Sequence, residues 1–181
     1  MNVQINYNSS LSKKNLTNKL FFVDESFNIK SLKKFISPKE YLYVSDLLKN
    51  INNKKKVSLF EFSSSQSIIL IKIKRKIKNY EIENLGGDFF NFAKELNKKD
   101  FIINSENISV KLKNLIGFFL HGLKLKSYKF EKYLTKKEKK IIKITVTGKN
   151  KPSSQDQIRF KAIEDGTFYA RDLVSEPGNI L

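Results

Sequence analysis

Cysteine is absent from the 181 residues, and histidine occurs once, as His121. Disulfides, zinc-finger ligand sets and a cysteine nucleophile are therefore excluded, and a reducing compartment is allowed. Three prolines and seven glycines exclude a collagen-like or Pro-rich architecture. The opening residues, MNVQINYNSSLSKKN, lack the apolar segment of a secretory signal. No apolar stretch reaches the ~18 residues needed to cross a bilayer, so the expectation is a soluble, cytoplasmic chain with no membrane partner. Arginine is scarce as well, limited to Arg75, Arg159 and Arg171.

What is present is apolar and basic. Hydrophobic residues make up 40% of the chain and include 15 Phe, too many for a disordered segment and enough for one ordinary core. The formal charge of +17 invites a nucleic-acid reading. Lysine supplies 32 of the 35 basic residues, however, and arginine is the better bidentate reader of phosphate and guanine. Lys, Asn and Ile share AT-rich codons, so a biased genome yields this balance without a ligand, and no specific nucleic acid is expected.

Hydrophobic periodicity sketches an alternation of strands and helices. Val3–Tyr7 and Leu20–Asp24 read as strands. Ser37-Pro38-Lys39-Glu40 opens a helix, with Ser37 as cap, Pro38 in the first turn and Glu40 closing a capping box. Its face runs through Tyr41, Leu42, Val44, Leu47, Leu48 and Ile51. Val57–Phe62 and Ile68–Ile73 form two strands joined through Ser63–Gln66, the second strand continuing toward solvent in its lysine-rich half. A helix is expected from about Gly87 to Leu96, a strand at Phe101–Ile103, a long helix from Val110 to Tyr133 and a last strand over Lys139–Val146. After the break at Thr147–Ser154, Ile158, Ala162, Ile163, Phe168, Ala170 and Val174 mark an amphipathic helix. The division predicted is a layered α/β domain over 1–150 and a helix over 151–181.

No strong catalytic signature is present: HExxH, GxSxG and GxxxxGK[ST] are all missing. His121 has no second histidine and no cysteine to complete a ligand cluster, and reads as a satisfied structural side chain. Gly86-Gly87, placed just before the expected helix, could admit an anion to backbone N–H groups, or could simply make a tight connection. Between Lys124 and Lys143 nine lysines face only Glu131 and Glu138, with Tyr128, Phe130 and Tyr133 interleaved as on a single-strand platform. Solvated lysine and packed rings explain the same pattern. No catalytic, cofactor-binding or metal-binding residue is assigned.

Two segments carry a resemblance. Ala170-Arg171-Asp172-Leu173-Val174-Ser175-Glu176-Pro177-Gly178-Asn179-Ile180-Leu181 resembles the ARDLVNxPxN(I/V)L signature of M17 leucyl aminopeptidases, departing at Ser175, where the family usually has Asn. His121–Tyr133 is similar to the family's G-x-x-L-x-x-Y-x-F-x-x-Y segment, with Gly122, Leu125, Tyr128, Phe130 and Tyr133 at the landmark positions. Gly86-Gly87 falls where the family often has a glycine pair opening a helix.

The resemblance implies a macro-domain-like layered fold with a mixed sheet flanked by helices, followed by a linker helix leading to a catalytic domain. In that second domain a lysine, aspartates and a glutamate, including an N-T-D-A-E-G-R-L segment, hold two divalent metals, Mn or Zn. None of those positions occurs here. Glu164 with Asp165, and Asp172 with Glu176, are not read as substitutes; the second pair is read as local ion pairing beside Arg171. The implied whole enzyme is a cytoplasmic homo-hexamer acting on peptides, with the catalytic domain as partner of this one. A small basic nucleic-acid or anion-binding module is the alternative, and a self-sufficient small enzyme a third.

Overall fold

The computed structural model describes residues 2–7, 18–50, 55–96, 98–107, 114–135 and 140–178. Expectations resting on Ile51, on Val110–Lys113, on Lys136–Lys139 and on Asn179–Leu181 lie outside them. Six strands, β1 (Asn2–Tyr7), β2 (Asn18–Val23), β3 (Val57–Ser63), β4 (Gln66–Lys72), β5 (Asp100–Asn104) and β6 (Ile141–Thr147), form one sheet. Its order is β1-β6-β5-β2-β4-β3. All neighbours are parallel except the β3–β4 hairpin at the edge. Helices α1 (Pro38–Leu48), α2 (Asn79–Glu95), α3 (Leu115–Lys126) and α4 (Ser154–Ser175) complete the fold, which is macro-domain-like.

The apolar runs LFFV and IILI follow from burial on both faces. Leu20 and Phe22 of β2, with Ile69 and Ile71 of β4, enter one core together with α2 and α3. Phe21 and Val23, with Ile68 and Leu70, enter the other, under Val44 of α1 and the turn at Leu32. Parallel strands covered on both sides read as continuous hydrophobic runs for this reason. In β6 one face alone is covered: Ile142, Ile144 and Val146 are buried, and Ile141 and Lys143 are exposed. Its sequence alternates accordingly.

The start of α1 is as the sequence indicates. Ser37 Oγ accepts from Glu40 N–H at 3.2 Å, and Glu40 Oε2 accepts from Ser37 N–H at 2.6 Å. Such a cap is worth about 1 kcal/mol. Glu40 does more than cap. It lies nearly buried and accepts from Lys19 Nζ at 3.1 Å and from Gln66 Nε2 at 2.8 Å, joining α1 to β2 and β4.

Three boundaries differ from expectation. β4 stops at Lys72; beyond it Ile73 is buried, while 74–76 are exposed. α3 ends at Lys126, because Ser127 closes it: its N–H and its Oγ both donate to the Lys124 carbonyl, at 3.0 and 2.7 Å. Tyr128 to Tyr133 is therefore not helical.

The third difference matters most. α2 begins at Asn79, eight residues before the expected start, so Gly86-Gly87 lies mid-helix and opens nothing. The pair reads as a break in sequence, but here α2 crosses α3 with backbones touching. A Cβ on Gly86 would sit 2.0 Å from the Phe119 carbonyl oxygen, and one on Gly122 would sit 1.9 Å from that of Glu83. Reciprocal glycines allow this approach, which brings Phe89 and Phe119 to a ring separation of 5.7 Å in the core.

Candidate functional site

The chemistry-bearing side chains gather where α4 lies along α3 beside the β1 edge. Ser153 caps α4 by accepting from Asp156 N–H at 3.1 Å. The helix then presents Phe160 and Glu164 to α3 and Phe168 to Tyr128 beyond it, and nothing on α4 is fully buried. Phe160 is keyed into a notch: its ring stands 5.2 Å from Phe118 and 5.1 Å from His121. The notch is Gly117, where a Cβ would come within 2.5 Å of that ring.

His121, 5% exposed, places Nδ1 at 3.0 Å from Glu164 Oε1. Tyr7 of β1 completes the cluster, its phenol pushed up to about 12 by burial and by the negative charge of Glu164. A cleft of about 390 Å³ opens beside these groups, with Lys124, Lys161 and Asp165 at its margin. A histidine oriented by a carboxylate is the support arrangement of a general base. No Ser, Thr or Cys lines the cleft for it to activate. The sole histidine is a buried, partnered side chain tying two helices together.

Further along α4 the reading of Asp172 and Glu176 as a local pair beside Arg171 is corrected. Tyr128 Oη donates to Asp172 Oδ1 at 2.8 Å. Lys132 and Tyr133 both donate to the Glu176 carboxylate, which they hold below the usual range. Arg171 turns to α3, donating to the Leu125 carbonyl at 2.7 Å with its guanidinium over the Tyr128 ring. Each contact spans more than forty residues of sequence, so helical spacing could not reveal it.

These contacts also dismantle the single-strand platform. Tyr128 is stacked at 5.4 Å from Phe168 and Phe130 packs at 5.8 Å from Tyr133. One of three arginines is used internally. A second recess, about 500 Å³, lies past the carboxyl end of β4 and is lined by Lys56, Lys72, Lys74 and Tyr80. Its cations are engaged: Lys56 with Asp88 at 3.2 Å, Lys74 with Glu81 at 3.7 Å, and Lys72 over the Phe27 ring.

Among the described residues no group of three or more His, Cys, Asp or Glu side chains could hold a metal ion. A two-metal centre does not fit them. Nor is any helix of the described residues long and apolar enough to cross a membrane.

No protein-family profile matches the chain. Individual relatives do. It is 28% identical over 115 residues to a "Probable cytosol aminopeptidase" of Persephonella marina, covering 60% of this chain and 23% of that protein. A protein of the same description from Clostridium tetani is 34% identical over 125 residues, covering 63% and 25%. The chain is a distant homologue of the M17 aminopeptidases. It spans about a quarter of the length of the curated relatives it matches.

Among solved structures, a tomato leucine aminopeptidase variant superposes with a TM-score of 0.72 at 15% identity, over 99% of this chain and 39% of that one. The macrodomain of Thermus aquaticus DarG gives 0.53 at 8% identity, over 81% of this chain and 99% of that one. Both likenesses concern the fold.

Proposed function

We propose that this chain is the non-catalytic N-terminal domain of a leucyl aminopeptidase-like metallopeptidase. Residues 1–150 form the α/β domain and 151–181 the helix leading to a catalytic domain. The observation that carries the reading is a pair of facts taken together. Similarity to aminopeptidases covers a quarter or less of each relative, and the described residues hold no group of three or more His, Cys, Asp or Glu side chains that could bind a metal ion. In the full-length enzyme, two divalent ions, Mn or Zn, would belong to the catalytic domain and activate water for removal of N-terminal residues from peptides. Homo-hexameric assembly and a cytoplasmic location belong to the same proposal.

The role left to this domain is architectural. Its helix α4 is fixed in direction by Phe160 in the Gly117 notch and by the contacts of Glu164, Asp172 and Glu176. A domain attached through it is therefore held in a set orientation. The purified chain, assayed on leucyl-p-nitroanilide with added manganese or zinc, is expected to show no turnover. Hydrolysis that follows the protein through a second purification overturns the non-catalytic reading.

A further inference from the structure

Helix α4 rests on α3 without closing on β1. Phe160 fills the Gly117 notch and Glu164 meets His121, and a cleft of about 390 Å³ is left between β1, α3 and α4. Its size falls at the lower end of the ~300–1,000 Å³ typical of small-molecule sites. The interior is apolar. Ile5 and Leu120 line it, together with the half-buried rings of Phe160 and Phe168.

The polar groups around that interior are few, and most of them offer protons. Lys124, half-buried, and Lys161 stand at the margin, and among the described residues neither ammonium has a hydrogen-bond or ion-pair partner. The recess past β4 differs, since its lysines already meet carboxylates or a ring. Tyr7 adds a phenol with no hydrogen-bond partner among the described residues, and a value of about 12 keeps it a donor at neutral pH. Of the two carboxylates lining the cleft, Glu164 is committed to His121 at 3.0 Å and Asp165 lies exposed at the margin. A half-buried ammonium gains from a counter-charge. An apolar cleft rimmed by two such cations and a phenol donor is complementary to an anion with an apolar body. Glu164, whose field already acts on Tyr7, disfavours a second negative charge nearby, so a monoanionic head suits the cleft better than a phosphate.

We propose that this cleft binds a small carboxylic acid with an apolar or aromatic body, the carboxylate between Lys124 and Lys161 and the body against Phe160 and Phe168. Such a head comes from a simple organic acid or from an amino acid, whose ammonium would meet Asp165. The ligand touches β1 and α3 on one side and α4 on the other, so it ties the helix to the domain. A ligand that binds only the docked helix stabilises the docked state in proportion to its occupancy. The cleft is thereby a control point over the direction of α4. The inference does not depend on the aminopeptidase reading.

Amide-resolved NMR titration of the 181-residue chain with hydrocinnamate, its neutral amide and free phenylalanine tests it. Hydrocinnamate should give saturable shifts in β1, α3 and α4, with a dissociation constant on the order of a millimolar. Hydrogen exchange of the α4 amides should slow about tenfold at ten times that concentration. The neutral amide should bind roughly tenfold more weakly or worse. Phenylalanine binding more tightly than hydrocinnamate places an amino acid's ammonium at Asp165; weaker binding leaves a simple acid as the ligand. Lys124→Met combined with Lys161→Met should erase the preference for acid over amide with a melting temperature close to the parent's, because neither ammonium has a partner to lose. Lys124→Arg combined with Lys161→Arg should retain the preference. No saturation by hydrocinnamate, equal binding of acid and amide, or a double Met variant that binds the acid as the parent does overturns the proposal.

Discussion

Alanine substituted at four helical glycines should move stability in opposite directions, depending on what the added methyl meets. At Gly122 it would stand 1.9 Å from the Glu83 carbonyl oxygen, and at Gly86 2.0 Å from that of Phe119. Ordinary contact begins near 3.4 Å, so α2 and α3 must part by about 1.5 Å, and the obstacles are backbone atoms with no rotamer to change. Overpacking typically costs about 1–3 kcal/mol, and a contact this short with backbone atoms belongs at or above the upper end of that range. Alanine returns about 1 kcal/mol in helix propensity. The net loss should be about 2 kcal/mol or more at each site, a fall in melting temperature of roughly 4–8 °C for a chain this size. At Gly87 the nearest atom is the Lys126 Cβ at 3.7 Å, and at Gly166 nothing lies within 4 Å. There the propensity gain stands alone, and Gly87→Ala and Gly166→Ala should each add up to about 1 kcal/mol. Thermal melts by circular dichroism read all four. Should Gly86→Ala and Gly122→Ala melt at or above the parent, the backbones of α2 and α3 do not touch. Should Gly87→Ala fall as far as its neighbour, glycine itself, and not close approach, would be what the helix needs.

Glu40→Gln should cost about 1–2 kcal/mol at neutral pH, since it weakens charge-assisted bonds from Lys19 and Ser37. Burial pushes the Glu40 carboxyl up, but the bonds from Ser37 N–H and Lys19 outweigh it and leave the group below its usual range. The stability it contributes is therefore present above a pH of about 4.5 and lost as pH falls through the depressed folded value; urea titrations of parent and variant should converge below that window. Tyr7 works in the other sense. Its folded value, pushed up to about 12, exceeds the unfolded 10.0, so its contribution is intact below pH 10 and lost as pH rises through about 12. Two units set a ceiling of about 2.7 kcal/mol, reduced to about 1–2 because the side chain is half-buried; ultraviolet titration of parent against Tyr7→Phe should show one late-ionising phenol disappear.

The sheet is legible because its signals are local. Runs such as LFFV and IILI state burial on both faces, the alternation in β6 states burial on one, and Ser37 to Glu40 spells out its own cap. Local signals mislead where tertiary packing overrides propensity. Gly86 and Gly87 resemble a boundary in any local reading, and only α3 shows why glycine stands inside a helix. On α4 the apolar positions fall on more than one side. Of the residues that mark the amphipathic helix, Ile158, Ile163 and Val174 are exposed, while Phe168 joins Phe160 and Glu164 in the contacts with the rest of the domain. A hydrophobicity pattern could not have chosen this face, because α3 offers it a histidine and a glycine notch, and the segment after α3 a tyrosine. The partners of Glu164, Asp172 and Glu176 lie more than forty residues away and leave no spacing to read.

Two kinds of attachment result from these contacts. α2 and α3 owe their place to wholly buried side chains such as Phe89 and Phe119, each contributing about 1.5–3 kcal/mol on burial. α4 has none; its Phe160 and Phe168 are only half-buried, and its outer contacts, Tyr128 with Asp172 and Lys132 with Glu176, are exposed to solvent and contribute little. Its position is thus well specified but weakly held, since specificity comes from the number of distinct partners and strength from buried area. The His121–Glu164 contact is the exception, its two side chains only 6% and 12% exposed, and removal of either partner would leave the other poorly solvated. A helix placed this way, with its larger apolar surface outward, is oriented by this domain while most of its binding capacity is kept for something else.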